Sequence, residues 1–227
     1  MAAPGASDTV VVVTGGDPID PATLPVWSPG TRVIAADSGI DHAHALGLAI
    51  DLAIGDFDSV SPEGLARAAA DGATVERYPV AKDATDLELA LDAALAMGPA
   101  RIHVLGGHGG RLDHLLANVS LLAAPGYAAV EVTAQMGAAR VTVVRGHRDL
   151  RGSAGDVVSL MAVHGRADGV TTTGLLYPLD GEALLPGSSR GVSNELTAEV
   201  ATVLVTGGVL IAIQPGPLGP HPQETTR

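Results

Sequence analysis

The 227-residue sequence contains no cysteine. Disulfide frameworks and thiolate metal sites are therefore excluded, and any metal must be held by harder ligands. Aromatic side chains are scarce, at 2% of the chain, with one Trp and one Phe. Basic residues are in deficit, 13 Lys and Arg against 25 Asp and Glu, which gives a formal net charge of −12. Nucleic acid or an anionic membrane surface would be repelled by such a chain, whereas a metal-bridged anionic ligand suits it. No uninterrupted apolar run approaches the roughly 20 residues needed to span a bilayer. The opening stretch, Met1 to Asp8, lacks a basic segment followed by an apolar core. No secretory signal is expected there, and the chain reads as a cytoplasmic enzyme. What is abundant is aliphatic: 46% of residues are hydrophobic, enough to bury a core in one large domain or two modest ones.

In the first half, apolar strand-like runs alternate with helical patterns. Val10 to Val13 reads as a buried strand ending at Thr14-Gly15-Gly16, and Arg32 to Ala36 as a second ending at Asp37. A helix over about 40–46 follows, stopped by Gly47. Leu52 to Ile54 is a short strand running into Gly55-Asp56-Phe57-Asp58. Ser61 as N-cap, Pro62 at the first helical position and Gly72 past the end bracket another helix. An extended stretch over 74–78 precedes a helix opened by the capping-box pair Thr85 and Glu88, with Leu87, Leu91 and Leu95 on one face. Arg101 to Leu105 is a further strand, and the glycine run 106–110 leads into a helix over 112–122. Strands alternating with helices imply a parallel sheet with right-handed crossovers.

Near Gly126 the pattern changes. Short β-rich stretches follow at 129–133, 140–145, 156–163, 169–176, 199–205 and 209–213, broken by turn residues, as in a small antiparallel sandwich or barrel. The fold expected is an α/β N-terminal domain over 1–135, with a mostly parallel, Rossmann-like sheet flanked by helices. A smaller all-β sandwich or barrel domain over 136–215 and a flexible tail over 216–227 complete it. The stretch 129–133 is compatible with membership of the first sheet.

Four acidic clusters each follow a predicted strand: Asp37-Ser38-Gly39, Gly55-Asp56-Phe57-Asp58-Ser59, Lys82-Asp83-Ala84-Thr85-Asp86 and Gly109-Gly110-Arg111-Leu112-Asp113-His114. In an open parallel sheet the carboxyl ends of the strands form one rim, so these carboxylates would converge there, and convergence requires a cation. Asp56 and Asp58, two apart on extended chain, point the same way and suit a hard, oxygen-seeking ion such as magnesium. The pair also reads as a helix cap and a turn, and its spacing alone does not decide. Lys82 is unfavourable as a cap before a helix start but useful to a phosphate. Four glycines before a helix let a ligand approach the backbone, and Arg111 adds a planar donor fork. The run is neither a P-loop nor a dinucleotide-binding Gly-x-Gly-x-x-Gly. His114 reads as a cap neighbour or a ligand contact, and His42 and His44 face different ways on their helix. Neither Gly-x-Ser-x-Gly nor His-Glu-x-x-His is present.

Taken in order, these clusters resemble the thiamine pyrophosphokinase family. So do Thr173-Gly174-Leu175-Leu176-Tyr177-Pro178-Leu179 and Gly191-Val192-Ser193-Asn194-Glu195-Leu196, which look like that family's thiamine-binding β-domain. The resemblance implies pyrophosphoryl transfer from ATP to the hydroxyl of thiamine, giving thiamine diphosphate and AMP, with Mg2+, in a homodimer with active sites at the subunit interface. It implies that Asp56, Asp58 and Asp86 hold the metal and that Asp37 and Asp113 complete an acidic catalytic wall. Lys82 and Arg111 would meet phosphates in a site shared with Gly107, Gly109, Gly110, Asp83, Thr85 and His114. Ser193 and Asn194 would hydrogen-bond the vitamin. Some family members stack an aromatic residue of the last strands on thiamine; residues 208–213 have none, so aliphatic packing is expected there. The rival readings are a pyrophosphokinase acting on another heterocyclic alcohol, such as a pterin, and a non-catalytic nucleotide- or thiamine-binding module.

Overall fold

The computed structural model describes residues 7–216, so all of the expected tail except Gly216 lies outside the described residues. The chain divides into two compact units, Met1–Gly137 and Ala138–Arg227.

The first unit alternates strand and helix: β1 (Thr9–Val13), β2 (Arg32–Ala36), α1 (Gly39–Ala45), β3 (Leu52–Gly55), α2 (Pro62–Ala70), β4 (Thr74–Arg77), α3 (Asp86–Ala96), β5 (Arg101–Leu105), α4 (Leu112–Leu122) and β6 (Glu131–Met136). Its strands lie in the order β6-β5-β1-β2-β3-β4, and every neighbouring pair is parallel. Central β1 shows why the run of valines forms a strand: Val10 to Val13 are fully buried, as expected where both sheet faces are covered. Helix α3 supplies part of that cover through Leu87, Ala90, Leu91 and Ala94, packing on β1, β2 and β3. Burial of a leucine such as Leu91 stabilises by about 2 kcal/mol. The local signals behave as their chemistry requires. Ser61 Oγ accepts from Gly64 N–H at 3.0 Å, and Thr85 Oγ1 accepts from Glu88 N–H at 3.2 Å.

Two boundaries differ from expectation. The strand expected over 129–133 begins at Glu131 and runs to Met136, because a 3-10 turn over Pro125–Tyr127 takes the preceding residues. The Tyr127 hydroxyl anchors that turn by donating to Asp92 Oδ1 at 2.9 Å. This strand is β6, parallel to β5 in the first unit's sheet.

The second unit holds β7 (Ala139–Val144), β8 (His147–Arg151), β9 (Val157–Ala162), β10 (Ala167–Thr173), β11 (Glu182–Leu184), β12 (Asn194–Glu195), β13 (Val200–Leu204) and β14 (Leu210–Gln214). Within it, β12-β9-β14-β7 and β11-β10-β13-β8 are antiparallel sets. Val158, Leu160 and Leu210 of one set share a core with Leu150, Val170 and Val203 of the other. Three of these strands are absent from the sequence reading. In β8 only Leu150 of His-Arg-Asp-Leu-Arg is buried, while β11 and β12 have three and two residues, too few to show a period. β10 stops at Thr173 rather than Leu176 because Gly174 turns the chain at φ +71. Among the described residues no helix is long and apolar enough to cross a membrane.

Candidate active site

Strand order reverses between β1 and β5, the place where open parallel sheets bind ligands at their carboxyl ends. There the loop after β1 meets the glycine run after β5. Gly107 N–H donates to Gly15 O at 2.7 Å, and Asp17 N–H to His108 O at 2.7 Å. A Cβ on Gly16, at φ +130, would sit 2.2 Å from His108 O, so these loops pair this closely only without that side chain. Asn118 of α4 holds the second loop by donating to Gly107 O at 3.1 Å. The loops wall a cavity of about 410 Å³, also lined by Asp37, Ser38, Ser59, Lys82, Thr85, Asp86, Arg111 and His114.

Asp37 and Asp86 belong to its wall, whereas Asp56 and Asp58 lie outside the lining and meet Asp37 at its edge. Asp37 follows β2, its N–H bonded to Ile54 O of β3 at 3.0 Å, while Asp56 and Asp58 follow β3. One carboxylate oxygen from each of Asp37, Asp56 and Asp58 lies within 4.8 Å of the others. Asp37 Oδ1 is buried without a hydrogen-bond partner, an acceptor whose burial is unfavourable unless something positive completes it. Burial pushes the Asp37 carboxyl above its ordinary range, and the neighbouring Asp86 and Asp58 add to that, while backbone N–H groups of Ser38 and Ser59 oppose it. Three hard oxygen donors, one of them orphaned, fit a divalent cation.

Lys82 provides a largely buried positive charge in the cavity wall. Its Nζ is 2.6 Å from Asp56 Oδ2, with only 12% of the lysine side chain exposed, and 3.0 Å from Asp86 Oδ1. Its hydrogen bond is the main reason that Asp56 is held below the usual carboxylate range. Burial works to lower the Lys82 pKa, but its bonds to Asp56 and Asp86 outweigh it, and the net shift is upward. The expected metal set of Asp56, Asp58 and Asp86 thus differs from the observed cluster, in which Asp37 stands in place of Asp86. Asp86, at the start of α3, lies close to Gly55, where a Cβ would sit 3.0 Å from its Oδ1; that oxygen is buried without a hydrogen-bond partner and ion-paired with Lys82.

The remaining expected residues divide. Gly107, Gly109, Thr85, Arg111 and His114 line the cavity; Asp83, Gly110 and Asp113 do not. Asp113 is exposed and forks onto Arg111, Oδ1 to Nε at 3.1 Å and Oδ2 to Nη2 at 2.5 Å. That hydrogen bonding brings its carboxyl down to about 2. Thr14, Gly15, Gly16 and Asn118 line the cavity without having been singled out. A Gly-Gly pair directly after the all-valine end of β1 was the available signal for the first three.

In the second unit a hollow of about 370 Å³ is lined by Tyr177, Ser188, Ser189, Arg190, Gly191, Val192 and Asn194. Asn194, 3% exposed, uses its amide on backbone: Oδ1 accepts from Tyr177 N–H at 3.0 Å and Glu195 N–H at 2.9 Å, and Nδ2 donates to Tyr177 O at 2.7 Å. Both acceptor directions are therefore taken, so Asn194 fixes the Tyr177 segment rather than offering its carbonyl to a ligand. Ser193 sits at φ +56 with its side chain exposed, its N–H bonded to Ser159 Oγ at 3.1 Å. Tyr177 is 58% exposed at the hollow. An exposed aromatic ring is thus present in this unit, outside the last-strand stretch 208–213, which carries none.

A parallel sheet carrying a cation-sized carboxylate cluster beside paired glycine loops, followed by an antiparallel unit, defines the chain as an α/β phosphate-transferring enzyme with an added β unit. Residues 24–134 match the family model for the thiamin pyrophosphokinase catalytic domain, and residues 144–210 that for the thiamin pyrophosphokinase vitamin B1 binding domain. A thiamine pyrophosphokinase of Bacillus subtilis is 29% identical over 216 residues, 91% of this chain and 98% of the relative. The crystal structure of thiamine pyrophosphokinase from Bacillus subtilis superposes with a TM-score of 0.81 at 30% identity, covering 92% of this chain and all of that one. Thiamin pyrophosphokinase from Geobacillus thermodenitrificans gives 0.76 at 29%, over 91% and 96%. The chain belongs to the thiamine pyrophosphokinase family.

Proposed function

We propose that the enzyme transfers the pyrophosphoryl group of ATP to the hydroxyl of thiamine, giving thiamine diphosphate and AMP. The observation that carries this reading is the convergence of Asp37, Asp56 and Asp58 past the ends of β2 and β3, with Asp37 also in the wall of the glycine-loop cavity. In the reaction the hydroxyl oxygen forms a bond to the β-phosphorus. The bridging bond between α- and β-phosphates breaks, AMP leaves with the electron pair, and the hydroxyl proton passes to a carboxylate of the site or to solvent. Such chemistry asks the protein for in-line positioning and charge neutralisation rather than covalent help.

Asp37, Asp56 and Asp58 would hold magnesium, with Asp86 behind them. Bound Mg2+ would supply positive charge to the triphosphate oxygens. Lys82 and Arg111 reach phosphates from the cavity wall, and N–H groups of the glycine loops add fixed donors. Tyr177 offers the ring on which the vitamin stacks, and Asn194 keeps it there. The finer fold reading accompanies this: a Rossmann-like first unit and a β-sandwich second unit closed around one core. We further place the enzyme in the cytoplasm as a homodimer with active sites at the subunit interface. Helix α4 supports a partner subunit, since Leu112 is 67% and Leu116 63% exposed, an apolar face that suits a protein contact.

The test is direct. Protein, magnesium-ATP and thiamine should yield AMP and thiamine diphosphate in equal amounts. ADP would mean ordinary phosphoryl transfer, a pterin alcohol used in preference would mean another acceptor, and no product would mean a binding module.

A further inference from the structure

Asp56 and Asp58 face Asp37 together only because the chain bends sharply at Phe57, the residue between them. Phe57 lies at φ +61, a left-handed conformation unfavourable by about 1–2 kcal/mol for a residue with a Cβ. Such a conformation persists where the surroundings over-determine it. From one side, Phe57 is 9% exposed and belongs to the core cluster with Ile40, Ala53 and Ala68. From the other comes Arg77, the last residue of β4, paired in register with Gly55. Its Nη1 donates to the backbone oxygen of Asp56 at 2.8 Å, and its guanidinium carbon lies 4.8 Å from the centroid of the Phe57 ring. Every residue of β4 is exposed, so the core does not place this side chain; its two contacts with the loop do.

We infer that Arg77 is a positioning residue for the metal site: by pinning the peptide and ring between Asp56 and Asp58 it fixes their spacing and sets the affinity for a divalent cation. The guanidinium makes both contacts at once, Nη1 on the Asp56 carbonyl and its central carbon over the ring, a reach that the compact ammonium of a lysine does not match. The inference rests on the metal reading proposed above.

Mn2+ alone serves as the probe, with free ion followed by electron paramagnetic resonance during titration of the full-length protein. Arg77→Met should weaken Mn2+ binding about tenfold, the low end of what removing a residue behind a metal ligand does. Arg77→Lys should restore only part of it. Phe57→Leu, which keeps the burial but removes the ring, should fall between wild type and Arg77→Met. The apparent KM for magnesium should rise in Arg77→Met, while kcat at saturating magnesium returns to within about twofold of wild type. Asp56→Asn is the control that separates the two claims. If Asp56→Asn loses Mn2+ while Arg77→Met and Phe57→Leu bind it as wild type does, the role of Arg77 is refuted and the metal reading stands. If wild type takes up no Mn2+, or Asp56→Asn binds it unchanged, both fall together.

Discussion

The two units present their functional side chains by different means. In the parallel unit, each strand delivers its carboxyl end to one rim, so residues just past β1, β2, β3 and β5 meet whatever their separation in sequence. Asp37 and Asp58 share a cation-sized cluster for that reason. In the antiparallel unit successive strands end at opposite edges, and direction alone gathers nothing. Tyr177 is brought to the hollow by an amide clamp from Asn194, 17 residues away. The first kind of site is made by topology, the second by particular hydrogen bonds.

The contrast is sharpest where a single atom is changed. Asp56→Asn or Asp58→Asn should lower turnover by about 10²–10³-fold with an unaltered circular dichroism spectrum, because the rim is built by strands these residues do not hold. Retained turnover in both would break the topological account. In the other unit Asn194→Ala should act on both structure and substrate. Leaving a backbone N–H of Tyr177 unpaired costs about 1–3 kcal/mol, so Tm should fall by several degrees. The thiamine KM should rise by about tenfold, as the loss of an aligned ring predicts, with kcat held. An unchanged Tm and KM would show that the clamp is idle.

Asp37→Asn separates stability from function within one residue. Burial raises its carboxyl above the ordinary 3.8, so the folded state favours the protonated form and ionisation is destabilising at neutral pH. The variant should therefore melt at a higher temperature at pH 7 while losing Mn2+ binding. That gain should vanish below pH 3.8, where the wild-type carboxyl is neutral both folded and unfolded. A lower Tm at pH 7 would reject the desolvation argument. The smallest change is expected of Asp113→Asn. Asp113 and Arg111 are exposed and bind each other, and exposed pairs contribute little. Turnover should stay within about twofold; a tenfold loss would return Asp113 to the catalytic wall.

Much of the first unit was legible because its signals are local. Ser61 and Thr85 cap the helices they precede, and a run of four valines has few places to go but a strand covered on both faces. The second unit was less legible. In β8 a single buried leucine among charged neighbours carries no period, and β12 exists only through pairing of Asn194 with Val158 and Glu195 with Val157. Tyr177 stands in the Thr173–Leu179 motif, but nothing local to residues 176–178 announces that a distant amide holds them.

By itself, the sequence determined where β1, β2 and β5 end and which strands of the first unit carry acidic residues past their ends, since run length, periodicity and capping act over a few neighbours. Only the tertiary structure decided that Asp37 joins Asp56 and Asp58, that Lys82 lies against Asp86, and that Asn194 spends its amide on backbone. Those choices depend on burial and on which oxygens a distant donor reaches first, and neither quantity exists until the chain has folded.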